Sequence, residues 1–190
     1  MLLKIAALPG VAWAVANTTL TPPEVDATRI YAWRIYAWTF GSAAPVESRY
    51  AAAAVDLSGG QAISTGNGVV VAVLDTGVQL TPAAHPALAG SLVPGTDLVD
   101  GDAIPAETQN GLDDDHDGRV DEGAGHGTHV AGIVHQVAPS AQIMPVRVLD
   151  DDGTGTVWNA TEGMYWAAAH GARIVNMSLG TTGSSRPLRD

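Results

Sequence analysis

The sequence of 190 residues has no cysteine and a single lysine, Lys4, and its formal net charge is −11. The lack of cysteine excludes disulfide bridges and cysteine-ligated zinc sites. The lack of clustered lysine and arginine argues against binding to DNA or to anionic membranes, which requires such an electrostatic footprint. The apolar stretch that begins at Ile5 is shorter than the roughly 20 residues that span a bilayer. These absences favour a polypeptide as partner, and neither nucleic acid nor a membrane.

What is present is the composition of a soluble globular protein, with 46% apolar and 15% charged residues. A chain of this length can form one domain with a substantial core. Because no disulfide can stabilise the fold, apolar packing must do so.

A buried strand is predicted over residues 69–74, where the five apolar residues Val69 to Val73 precede Leu74. An apolar run without alternation is typical of a parallel strand that is covered on both faces. Asp75 stands where this strand ends, and α/β folds place ligands and chemistry beyond the carboxyl ends of their strands. Taken alone, Asp75 is most simply interpreted as a turn or cap residue, because aspartate is common after strands.

A second motif, HGTHVAG from His126, changes that interpretation. Apolar residues recur after it at helical spacing, which predicts that His126 lies at the start of a helix. The unperturbed pKa of histidine, near 6.5, suits a general base, and a buried carboxylate can fix its tautomer and stabilise the imidazolium. Asp75 is the obvious orienting partner for His126.

In these two motifs, D-T-G at Asp75 and H-G-T-H-V-A-G at His126, the sequence resembles the subtilase family of serine peptidases. The triad order Asp, His, Ser is known from subtilisin. The stretch from Ala141 to Gly180 resembles the family's strand, substrate-edge segment, helix and next strand in succession. The resemblance implies a subtilisin-like three-layer α/β/α fold with a mainly parallel sheet, incomplete on its C-terminal side. It also implies serine endopeptidase activity, with Asp75 and His126 as catalytic residues.

The same resemblance implies two backbone edges that clamp an extended polypeptide substrate between them as an added strand. For the second edge, an ordinary turn after a strand remains an alternative, since serine and glycine are frequent in turns. The substrate-binding residues that it assigns are Gly153, Thr154, Gly155, Thr156, Val157, Ser178, Leu179 and Gly180.

The nucleophile of the family stands in a G-T-S-x-A-x-P context, which this sequence does not contain. Ser184 and Ser185, near the end, lack that context and follow the S-L-G segment too soon, so they are assigned to a loop. We therefore expect the sequence to be truncated before the nucleophile, and these residues alone to be inactive.

An acidic loop, NGLDDDHDGRVDEG, separates Asp75 from His126. Its alternating aspartates and the glycine after them follow the D-x-D-x-D-G pattern of calcium loops, in which several oxygen ligands surround one ion. An EF-hand is excluded because Ala124 occupies the position of the bidentate acid. The predicted metal ligands are Asp113, Asp115, Asp117 and Asp121.

Many subtilases carry a similar loop, and this resemblance implies a structural calcium ion that orders the loop near His126. Asp114 and Glu122 are expected to point away or to contribute weakly. A solvated acidic loop without an ion is the alternative interpretation.

Residues 1–45 are interpreted as a signal-like or propeptide-tail segment followed by a linker, and residues 46–190 as the N-terminal part of the peptidase domain. The first twenty residues superficially fit a secretory signal, while LPGVAWAVAN resembles the tail of a subtilase propeptide. The first reading predicts secretion, and the second makes the chain's own propeptide a partner. Residues 47–63 are expected to form a short helix that ends at Gly59 and Gly60.

Three other interpretations concern the same residues. A D-T-G sequence is also typical of aspartic peptidases, but these need two such carboxylates and only one is present. His126 and His129 form H-x-x-H, yet a zincin helix requires H-E-x-x-H. A non-catalytic, calcium-stabilised peptide-binding protein remains the main alternative to an enzyme.

Overall fold

A computed structural model describes residues 19–20, 50–80 and 83–180 of the chain. The described strands are β1 (Thr19–Leu20), β2 (Val70–Asp75), β3 (Thr96–Asp97), β4 (Gln142–Arg147), β5 (Gly155–Thr156) and β6 (Ile174–Met177). The described helices are α1 (Tyr50–Ala54), α2 (Leu57–Ile63), α3 (His126–Val137) and α4 (Val157–Ala169), with a 3-10 turn at Pro86–Leu88.

Four strands form a parallel sheet in the order β3-β4-β2-β6. The central strand β2 is the predicted apolar run, and its residues from Val71 to Asp75 are all buried. Its side chains alternate between two cores. Val73 packs in the cluster with Val130 and Ala131 of α3, whereas Leu74 packs in the cluster with residues of α4. Helices therefore cover both faces, which confirms the α/β fold with its parallel sheet.

Helix α4 lies close to the sheet because Gly163 faces it. A Cβ atom at Gly163 would lie 3.0 Å from Val148 Cγ1 and 3.2 Å from Leu74 Cδ2. On the far side of β2, β6 forms an edge among the described residues, and Ile174 is 52% exposed there.

The expected helix over residues 47–63 is wrong in its details. Two helices are found, and Gly59 and Gly60 lie inside α2 instead of ending a helix. Asp56 has a left-handed backbone, and its side chain accepts a hydrogen bond from the Gly59 amide. This N-cap starts a new helix at Leu57, because it satisfies one of the free amides of the first turn.

A second, two-stranded sheet joins β1 to β5 in antiparallel orientation, with Thr19 opposite Thr156 and Leu20 opposite Gly155. Leu20 is completely buried in the same apolar cluster as Leu74 and the residues of α4. Residues that precede the predicted domain boundary at residue 46 thus contribute to the packed structure. The boundary itself stays a prediction, and the signal-like residues 1–18 lie outside the described part. Among the described residues, no helix has the length and apolar character to cross a membrane.

Candidate active site

Asp75 and His126 meet at the carboxyl edge of the sheet. Asp75 is the last residue of β2 and His126 is the first residue of α3, as the sequence predicts. Asp75 Oδ1 lies 2.6 Å from His126 Nδ1, and Asp75 Oδ1 also accepts a hydrogen bond of 2.8 Å from the Thr76 amide. Asp75 is fully buried and His126 is 6% exposed. A buried carboxylate at Nδ1 is the arrangement that orients an imidazole as a general base.

The short distance depends on a glycine at the second position of α3. A Cβ atom at Gly127 would overlap the carbonyl oxygen of Gly77 and would lie 3.1 Å from Asp75 Cβ. Glycine therefore allows the start of α3 to approach the turn after Asp75.

A half-buried glutamate that the sequence motifs do not indicate, Glu107, lies beside this pair. Glu107 accepts hydrogen bonds from the Thr76 hydroxyl at 2.7 Å, from the Thr128 amide at 3.1 Å and from the Thr128 hydroxyl. Burial raises the pKa of Glu107, hydrogen bonds from Thr128 and Thr76 oppose this rise, and the charge of Asp75 adds to it. No sequence motif marks Glu107, since it stands in an irregular loop far from both motifs.

Arg147, at the end of β4, is a second buried group that the motifs did not indicate. Its Nη1 lies 2.9 Å from Asp97 and 2.8 Å from Asp100, and its Nη2 lies 3.4 Å from Asp151. Burial lowers the pKa of Arg147, but the hydrogen bond and charge of Asp97 and the other two carboxylates raise it above its usual range. These pairs hold the loops at the carboxyl edge of the sheet together.

Residues from both predicted substrate edges adjoin one apolar cluster. The first contains β5, and its residue Gly155 pairs with Leu20 of β1. Leu149, Val157 and Ala160 share the apolar cluster of Leu20, and Leu179, from the second edge, packs against that cluster. Leu20 and residues of both predicted edges therefore adjoin the same apolar cluster.

The acidic loop brings together three of its four predicted metal ligands. One carboxylate oxygen of each of Asp113, Asp115 and Asp117 lies within 4.8 Å of the others. Asp121 is not in this group. Its carboxylate instead accepts hydrogen bonds from the amides of Asn110 at 3.0 Å and Gly111 at 3.1 Å.

Glu122 lies outside this group, and the expectation that it points away or contributes weakly to metal binding stays a prediction. Both its carboxylate oxygens are buried without a hydrogen-bond partner among the described residues. Burial raises the pKa of Glu122, and the negative charges of Asp117, Asp152 and Asp115 raise it further. The carboxylate oxygens of Asp113, Asp115 and Asp117 are the kind of donor that a hard cation prefers.

Comparison with known proteins gives consistent matches. The family model for the Subtilase family matches residues 66–189 of this chain. The chain is 42% identical to thermitase of Thermoactinomyces vulgaris over 130 residues, which is 63% of this chain and 40% of thermitase. It is 40% identical to the minor extracellular protease Vpr of Bacillus subtilis over 126 residues, which is 62% of this chain and 14% of Vpr.

The solved structure of a cold adapted subtilisin-like serine proteinase is similar to this chain, with a TM-score of 0.51 and 36% identity. The similarity covers 66% of this chain and 41% of that structure. The chain thus spans about two fifths of the length of thermitase and of this structure.

Proposed function

The chain belongs to the subtilase family, and from this premise we propose that it carries the aspartate and the histidine of the catalytic triad of a serine endopeptidase. The observation that supports this proposal best is the buried contact of 2.6 Å between Asp75 Oδ1 and His126 Nδ1. The contact lies at the carboxyl edge of a parallel sheet, where this class of fold places its chemistry.

In the proposed reaction, a serine hydroxyl attacks the carbonyl carbon of the scissile bond while His126 takes up the hydroxyl proton. His126 then gives this proton to the leaving amine, and the C–N bond breaks. Water attacks the acyl-enzyme in the same way and releases the acid and the free serine. Asp75 stays ionised throughout, holds the Nδ1–H tautomer and stabilises the imidazolium.

No serine of the sequence stands in the context of the family's nucleophile, and Ser184 and Ser185 lie outside the described residues. The 190 residues alone are therefore expected to be inactive. In subtilisin, a member of this family, loss of the nucleophile costs about a million-fold in turnover.

The proposed substrate is an extended polypeptide that adds a strand to β5, with residues 178–180 as the opposite edge. The pairing of β1 with β5 supports this proposal, because two residues of this chain already form an antiparallel strand there. Backbone hydrogen bonds along such an edge supply affinity, and pockets for alternate side chains supply specificity.

The N-terminal segment is also proposed as the chain's own propeptide partner. The sequence that resembles a propeptide tail ends at Asn17, and Thr19 and Leu20 follow it after one residue. Leu20 is completely buried in the apolar cluster beside the proposed substrate edge. A segment bound in this way would compete with substrate for the edge of β5.

A structural calcium ion is proposed in the acidic loop, held by Asp113, Asp115 and Asp117. The closeness of their carboxylate oxygens, all within 4.8 Å of one another, supports the fit, because a hard cation prefers several oxygen ligands. When bound, the ion would neutralise these charges and order the loop. Asp121, the fourth predicted ligand, lies outside this group, and its carboxylate accepts hydrogen bonds from the amides of Asn110 and Gly111.

Secretion is proposed on the similarity to the minor extracellular protease Vpr. A non-catalytic peptide-binding protein is the second candidate, and the docking of β1 on β5 favours peptide binding irrespective of catalysis. The aspartic peptidase reading gains no support, because the carboxylate of Asp75 is engaged with His126 instead of a second carboxylate.

The experiment uses the longer polypeptide that carries these residues together with a serine nucleophile. Its hydrolysis of a peptide substrate should be stopped by a serine-directed fluorophosphonate and should not respond to an aspartic-directed inhibitor. His126→Ala should abolish both the hydrolysis and the labelling by the fluorophosphonate. Hydrolysis that survives His126→Ala would overturn the proposal, and binding of peptides without hydrolysis would favour the second candidate.

A further inference from the structure

Glu107 connects the two segments that carry the proposed dyad. Its own loop is joined to the turn after β2, since the Val78 amide donates to Pro105 O at 2.9 Å and the Glu107 amide donates to Val78 O at 2.9 Å. Its carboxylate contacts Thr76, the residue after Asp75, and Thr128, two residues after His126. Glu107 thus touches neighbours of both Asp75 and His126.

The direction of each hydrogen bond follows from the number of hydrogens available. Thr76 Oγ1 accepts from the Gly127 amide at 3.0 Å, and Thr128 Oγ1 accepts from the Gln79 amide at 2.7 Å. Each hydroxyl has one hydrogen of its own, and the acceptor within reach of both is the carboxylate of Glu107. Together with the Thr128 amide, this gives Glu107 three donors and makes it an acceptor only.

This pattern closes two links between the turn after Asp75 and the first turn of α3. One runs from Gly127 through Thr76 to Glu107, and the other runs from Gln79 through Thr128 to Glu107. The first-turn amides of α3 need such partners because no helical carbonyl faces them. Removing a carboxylate from water is unfavourable unless it is hydrogen-bonded, and the half-buried carboxylate of Glu107 has three such donors.

We propose that Glu107 is a positioning residue, which holds the start of α3 against the turn after Asp75 and so keeps His126 within hydrogen-bond distance of Asp75. It acts through Thr76 and Thr128 and touches no reacting atom. The inference rests on the proposed function, because it assigns a role relative to the Asp75–His126 pair.

The test uses the full 190-residue chain and needs no nucleophile. Proton NMR detects the hydrogen on Nδ1 of His126 as a low-field resonance, which His126→Ala identifies by its disappearance. Nitrogen chemical shifts of the ring report which tautomer is present, because the tautomer is set by the hydrogen bond at the other nitrogen. Circular dichroism checks that each variant is folded.

Glu107→Ala removes every link and should abolish the low-field resonance and mix the tautomers. Glu107→Gln should keep both signals. Its amide oxygen can still accept from Thr76 and the Thr128 amide, while its amide nitrogen can donate to the Thr128 hydroxyl. Glu162→Ala, which removes an exposed glutamate of α4, is the matched control and should resemble the parent.

If Glu107→Ala does not fold, Thr76→Val and Thr128→Val decide the matter, because each removes one link and keeps the side-chain shape. Exchange of the low-field proton with water should then be about tenfold faster, as expected for the loss of one ordinary hydrogen bond. An unchanged resonance in Glu107→Ala, or unchanged exchange in both threonine variants, overturns the role of Glu107 and leaves the dyad intact. A parent without the resonance overturns the dyad itself.

Discussion

The substitution Gly127→Ala tests how closely the start of α3 must approach the turn after Asp75. The added Cβ atom would overlap the carbonyl oxygen of Gly77, and it would lie 3.1 Å from Asp75 Cβ. The overlap is between a Cβ atom and a backbone oxygen, so no side-chain rotation relieves it. The helix and the turn must move apart instead.

A displacement of about 1 Å removes the overlap, and misplacement of this size in a catalytic group can cost around 100-fold in turnover. The contact of 2.6 Å between Asp75 Oδ1 and His126 Nδ1 would then exceed the usual length of a hydrogen bond. Overpacking of this kind also costs about 1–3 kcal/mol in the free energy of unfolding.

Two assays measure these effects. In the 190-residue chain, the Nδ1 proton resonance of His126 should be lost, and the midpoint of chemical denaturation should fall. In the longer polypeptide with its nucleophile, kcat should fall about 100-fold while KM changes little, since Gly127 is not one of the proposed substrate-binding residues.

Gly60→Ala is the matched control, because Gly60 lies within α2 and a Cβ there would meet nothing within 4 Å. This change should leave the resonance and kcat as they are and should not lower the stability. A Gly127→Ala variant with parental stability and an intact Nδ1 resonance would refute the reasoning.

Three further predictions concern stability. Arg147→Met leaves buried aspartates without their cation and should lower the free energy of unfolding by about 3–5 kcal/mol. Arg173→Met, at an exposed site, is the control and should change the free energy of unfolding by less than about 0.5 kcal/mol. Equal effects of the two substitutions in denaturant titrations would contradict the buried network. Burial and the nearby charges of other aspartates raise the pKa of Asp150 from 3.8 to about 6, so its contribution to stability is present below about pH 4 and is lost as the pH rises through about 6. Asp150→Asn, which can still accept from the Thr154 amide, should flatten that decline in thermal melts with a chelator present, and a decline of the same size would refute the assignment. EGTA should lower the melting temperature of the parent chain and should have no effect on Asp115→Ala, while an unchanged parental melting curve would remove the calcium site.

The central features of the fold follow from the sequence because their signals are local. The apolar run before Asp75 predicts a strand that is covered on both faces, and β2 is such a strand. The spacing after His126 predicts a helix that begins at that residue, and α3 begins there. One motif ends a strand and the other begins a helix, and α/β folds place such positions at the same edge of the sheet. The contact of Asp75 with His126 is therefore predictable from the sequence as well.

Features that depend on contacts between distant segments were not predictable in this way. Glu107 follows Asp75 by about thirty residues in an irregular loop, and only the folded chain places it between Thr76 and Thr128. The burial of the Glu122 carboxylate oxygens likewise depends on the folding of the whole acidic loop. Gly59 and Gly60 do not end a helix, because the local capping by Asp56 outweighs their low helix propensity.

The proposal that Asp75 orients a catalytic His126 is tested most directly by the turnover of Asp75→Asn in the longer polypeptide with its serine nucleophile. Asparagine can still accept the hydrogen bond from the Thr76 amide, so the melting temperature should change little. Turnover of a peptide substrate should fall by about four orders of magnitude, as in other serine peptidases, because the required tautomer of His126 is no longer favoured. Undiminished turnover in a folded Asp75→Asn variant would contradict the assignment.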